Sequence, residues 1–151
     1  LSLHDALPIL QALVDDRAET GAAVSYSGQP MVVHAEPVAL RRLVGNLVDN
    51  ALRYAGAAEV TALVMGNACR ILVQDRGPGI PQDQLDAVLQ PFVRVEGSRH
   101  RATGGTGLGL FIARELAERL GGTLVLSNRA GGGLCAEVVL PLGEPKPAPA
   151  A

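Results

Sequence analysis

Two asparagines four residues apart, Asn46 and Asn50 in NLVDNALRY, interrupt a run of leucines and valines that a helix could bury whole. Amide oxygens suit a hard cation, and Mg²⁺, which takes oxygen ligands and keeps several of its waters, accompanies nucleotide phosphates. A solvated helix face would carry the same residues, so the stretch alone does not decide between them. DRGPGIP, residues 75–81, is a second candidate: glycines flanking a proline let the backbone turn sharply against a flat ligand, and Asp75 can accept a hydrogen bond from an exocyclic amine. GGTGLGL, residues 104–110, is a third, running straight into FIARELAERL. Backbone N–H groups at a helix start, with the positive end of its dipole, suit phosphate. The lysine that would make this a P-loop is absent. His4, followed by Asp5 and Pro8, competes as a reactive histidine.

The elements that must position these groups alternate in type. Residues 23–26 and 31–34, joined by SGQP, read as a hairpin. A long helix is predicted over 37–55, opened by Pro37, with Leu40, Leu43, Val44, Leu47, Val48, Ala51 and Leu52 on one face. Asn46, Asn50 and Arg53 align on the other face, with Asp49 beside them. Residues 59–65 and 69–75 read as strands around a Gly66–Asn67 turn. A short helix is predicted over 82–89, then a polar, Gly-rich stretch over 94–106, a helix over 108–120 stopped by Gly121, and strands over 123–127 and 134–142. This order predicts an α/β two-layer sandwich, a mixed sheet of about five strands with three helices on one face.

Composition excludes other classes of function. Aromatic residues make up 3% of the 151 and the formal charge is -2, which supplies neither stacking platforms nor an electrostatic footprint, so nucleic acid is not an expected partner. Cys69 and Cys135 stand alone, without metal spacing or a disulfide framework, and read as buried thiols in a reducing compartment. No apolar run reaches the roughly 18 residues of a membrane helix.

Taken in order and spacing, the three stretches resemble the N, G1 and G2 boxes of the ATP-binding catalytic domain of sensor histidine kinases, and PFVRV, residues 91–95, resembles the F box between them. The resemblance covers residues 10–142. It implies the left-handed βαβ ATP-binding (Bergerat-type) sandwich shared with gyrase-type topoisomerases, mismatch-repair ATPases and the large heat-shock chaperones, with ATP and Mg²⁺ as its ligands. By the same resemblance Asn50 ligates Mg²⁺, Asn46 supports the metal and phosphates, Arg53 lies near the phosphates and Tyr54 against the nucleotide. Asp75 reads the adenine amine in a pocket shaped by Gly77, Gly79 and Ile80. Arg94 reaches the terminal phosphate, and Gly105, Thr106, Gly107, Leu108, Gly109 and Leu110 cradle the phosphates, with 94–106 as a lid. Asn46, Arg53 and Arg94 would then be the catalytic set. The hydrolysing relatives carry a glutamate base four residues before the metal asparagine; an amide there cannot take a proton, which favours transfer to histidine over hydrolysis or mere nucleotide sensing.

His4 fits the family's phosphoacceptor poorly, since Pro8 is four places on where the motif has five, and no second long helix follows for a dimerisation domain. Residues 1–9 resemble a translated sequencing adapter and are set apart as non-native. His34 and His100 read as ordinary strand and surface residues, and residues 143–151 as a disordered Pro/Ala-rich tail. The expectation is a catalytic fragment working in the cytoplasm, from a membrane-anchored, homodimeric parent. Its implied partners are the parent's own histidine phosphoacceptor domain and a response regulator.

Overall fold

A computed structural model describes residues 3–93 and 108–142. In chain order its elements are β1 (Leu3–Asp5), α1 (Ala6–Glu19), β2 (Ala23–Gly28), β3 (Val32–His34), α2 (Pro37–Ala55), β4 (Ala57–Met65), β5 (Ala68–Gln74), α3 (Gly109–Arg119), β6 (Thr123–Asn128) and β7 (Leu134–Pro141). The main sheet is five-stranded in the order β2-β4-β5-β7-β6, with β2 parallel to β4 and every other pair antiparallel. The three α-helices among the described residues cover one face: α1 against β2, α2 across β4 and β5, α3 across β6 and β7.

The central helix forms where the sequence places it. Pro37 opens α2, and the Glu36 carboxylate accepts from the N–H groups of Val38 and Ala39, both at 3.0 Å. Gly56, left-handed at φ 78°, ends it. Leu40, Leu43, Val44, Leu47 and Val48 are buried almost completely, each burial stabilising by about 2 kcal/mol. Beneath them β5 alternates, with Cys69, Ile71 and Val73 inward; on its other face Arg70 Nε donates to Glu137 of β7 at 2.7 Å.

Three expectations need correction. Residues 23–34 are not a hairpin: β2 runs parallel to β4, and β3 pairs with β1 in a separate two-stranded sheet. Past Gly28 the chain still follows β4, with the Gln29 N–H donating to Ala62, and Pro30, which has no donor, turns it out of the sheet. The helix over 82–89 is instead a pair of 3₁₀ turns, Gln82–Gln84 and Ala87–Leu89, closed by bonds from Gln84 to Pro81 and from Leu89 to Asp86. A segment this short, with exposed Asp83 and Asp86 inside it, lacks the length to sustain an α-helical ladder. The third helix is therefore α1, over residues with no helix assigned from sequence. Its Pro8 sits in the first turn, where no N–H is needed, and Leu10, Leu13 and Val14 face the core. Residues 3–9 take part in this packing, since β1 pairs with β3 and fully buried Ala6 donates its N–H to Met31 at 3.0 Å. No described helix is long and apolar enough to cross a membrane.

Candidate functional site

Asp75 follows β5 directly and is 7% exposed. Its Oδ1 accepts from the N–H groups of Gly77 and Leu134, each at 3.0 Å, so the buried carboxylate is held by one loop and by the first residue of β7. Its main chain is fixed as well: the N–H donates to Leu134 O at 3.0 Å, and Arg129 Nη1 donates to its carbonyl at 2.8 Å. Gly77 lies against the last turn of α2, where an added Cβ would meet Ala55 Cβ at 2.7 Å. Gly79 is left-handed at φ 73° and touches Asn128, and Ile80 is 9% exposed. The predicted pocket residues Asp75, Gly77, Gly79 and Ile80 thus form one loop braced by α2, β6 and β7.

On α2, Asn46 and Asn50 are half-buried on one face, with Arg53 exposed and Tyr54 half-buried at the C-terminal end. Asn46 Nδ2 donates to the carbonyl of Gly109 at 3.4 Å, which brings this face to the first turn of α3. Leu108 is the N-cap residue of that helix, followed by Gly109 and Leu110. Arg94, Gly105, Thr106 and Gly107, with the rest of the predicted lid over 94–106, lie outside the described residues. Asp49 is half-exposed, as its helix face suggests, and it is also paired. Arg17 of α1 grips it with Nε at 2.8 Å and Nη2 at 3.2 Å, and this hydrogen bond pushes the guanidinium pKa up against the opposing effect of burial. His4 lies in β1 opposite Val33.

Sequence reasoning missed the groups that brace the pocket. Asn128 closes on Ile80 from both sides, its Oδ1 accepting from the Ile80 N–H at 2.9 Å and its Nδ2 donating to the Ile80 carbonyl at 2.6 Å. Gly133, at φ 105°, comes so close to Asp75 that a Cβ would stand 2.0 Å from the Asp75 carbonyl oxygen. The run of glycines at 131–133 was the available signal, because consecutive glycines before a strand mark a close backbone approach. Among the described residues no cluster of His, Cys, Asp and Glu could hold a metal, so a cation here would rest on amide oxygen and its own ligands.

The family described as "Histidine kinase-, DNA gyrase B-, and HSP90-like ATPase" matches residues 35–144. Sensor protein RstB of Escherichia coli (strain K12) is 41% identical over 95 residues, 62% of this chain and 22% of that protein. Signal transduction histidine-protein kinase BaeS of the same organism is 33% identical over 146 residues, 91% of this chain and 31% of its own length. The chain therefore spans less than a third of these curated relatives. The solved structure of the mycobacterial sensor histidine kinase MprB superposes with a TM-score of 0.81 at 24% identity, over 93% of this chain and 98% of that one, a likeness of fold.

Proposed function

Because this chain belongs to the histidine kinase-, DNA gyrase B- and HSP90-like ATPase family, we propose that it is the catalytic piece of a sensor histidine kinase, binding Mg²⁺-ATP and delivering the γ-phosphoryl group to a histidine on a dimerisation domain outside this chain. One observation carries the reading: two separate motifs meet on α2, Gly77 against Ala55 at its C-terminal end and Gly109 against Asn46 at its middle. A buried carboxylate beside a glycine loop fits an adenine amine, and the amide face of α2 fits a hydrated hard cation. Asp75, Gly77, Gly79 and Ile80 would hold the base with Tyr54 beside it; Asn50, supported by Asn46, would hold Mg²⁺; Arg53, Arg94 and the backbone over 105–110 would hold the phosphates. Bound Mg²⁺ supplies neutralisation of phosphate charge.

The protein's own residues then position and do not activate. Asn46 cannot accept a proton, and Asp49, the nearest carboxylate on the helix, is occupied by Arg17. A neutral imidazole needs no such base near neutral pH. The parent is proposed to be a homodimer anchored in the membrane by segments outside this chain, with this piece in the cytoplasm and a response regulator downstream. Radiolabelled ATP tests the whole reading, using the chain alone and the chain mixed with its parent's dimerisation domain. Acid-labile label should appear only on the supplied domain. Label on this chain that disappears with His4→Ala, or rapid ATP hydrolysis by the chain alone, would overturn it.

A further inference from the structure

We infer that Asn128 is a positioning residue for base selection: its side-chain amide holds the Ile80 main chain, and so sets the far end of the loop that begins at Asp75. The inference rests on the nucleotide reading above. Only an amide side chain carries a donor and an acceptor at the spacing needed to bond both the N–H and the C=O of one residue. Asn128 does this to Ile80 across 48 positions of sequence, at 2.9 and 2.6 Å. The loop is shaped to receive it. An added Cβ at Gly79 would stand 2.6 Å from Asn128 Oδ1, and its φ of 73° is the conformation that glycine takes most readily.

The near end of the same loop is already fixed, because Leu134 and Arg129 hold Asp75. With Asn128 at the far end, the stretch 75–80 is pinned at both ends before any ligand arrives. A pre-ordered loop gains affinity by avoiding the entropy of ordering on binding, and only a base placed against that loop benefits. Phosphate contacts on the α3 side lie on other elements. Asn128 should therefore act on the choice of base and leave phosphate binding alone.

The test compares ATP and GTP affinity by calorimetry for the unmutated chain, Asn128→Ala and Asn128→Asp, with amide hydrogen exchange of each nucleotide-free protein. Asn128→Ala should weaken ATP about tenfold, or about 1.4 kcal/mol, leave GTP affinity nearly unchanged, and speed exchange at Ile80. Asn128→Asp keeps the acceptor for the Ile80 N–H and loses the donor, so it should lose part of the preference, and it serves if the alanine variant fails to fold. An unchanged ATP-to-GTP ratio in whichever variant folds, with faster exchange at Ile80, would reduce Asn128 to a structural staple and overturn the proposal. An equal fall for both nucleotides would overturn it too. If the unmutated chain bound neither nucleotide, the functional reading would fail first, and that outcome is visible without any variant.

Discussion

At Asp75 one carboxylate oxygen serves the fold, since both backbone donors fall on Oδ1. That asymmetry separates two substitutions. Asp75→Asn can keep an oxygen at Oδ1 and both bonds, but offers a donor where the adenine amine also donates. Its expected signature is a loss of ATP binding of about 1 to 3 kcal/mol with little change in stability. Asp75→Ala leaves the buried N–H of Leu134 and the half-buried N–H of Gly77 without their acceptor and should lower stability as well, by about 2 kcal/mol or more. Calorimetric binding with urea unfolding checks the pair; equal stability loss in both would mean that Oδ1 is not what holds the turn. Asp75, Asn46 and Asn50 were legible as candidates because their types are odd beside apolar runs. The side chains that brace their neighbours were not, because Arg17 lies 32 positions from Asp49 and Asn128 lies 48 positions from Ile80. A single sequence carries no signal for such pairs.

Among the elements, α2 and the β4–β5 hairpin were legible because caps, period and turn agree: Glu36 and Pro37, a continuous apolar face, and a two-residue Gly66–Asn67 turn between paired Met65 and Ala68. The pairing of β2 was not, since alternation says that a segment is a strand without saying which neighbour it takes. Helix α1 escaped because it was split between a segment set aside and a short, mostly apolar run, Leu10–Val14, followed at once by the acids Asp15 and Asp16. The turn between β6 and β7 offers a graded test at this scale. Gly131→Ala meets nothing within 4 Å and faces only its left-handed φ of 86°, which costs about 1 to 2 kcal/mol. Gly133→Ala adds a collision with the Asp75 carbonyl, so the turn must move, and the expected loss exceeds about 3 kcal/mol. Urea midpoints of the two variants decide; similar losses would contradict the close approach.

For the molecule as a whole, burial pushes both thiols up from 9.0, Cys135 further raised by the charge of Glu137, and burial likewise raises Tyr26 from 10.0. The folded chain therefore holds protons that the unfolded chain starts to release near pH 9, so the unfolded state binds fewer protons and stability falls as pH rises through that value. Urea unfolding across the alkaline range should show this decline, shallower when Cys69 and Cys135 are both replaced by alanine. A flat profile in the unmutated chain would show that the thiols open to solvent without unfolding.

Along β5 the inward positions are Cys69, Ile71 and Val73, and the next member of that series is Asp75 itself. Core and site thus share one parity of the strand. A single-residue insertion or deletion within β5 would turn the carboxylate to the outer face together with every residue in register behind it. Such a strand can change length only in steps of two, so its descendants inherit the count of residues as strictly as the aspartate.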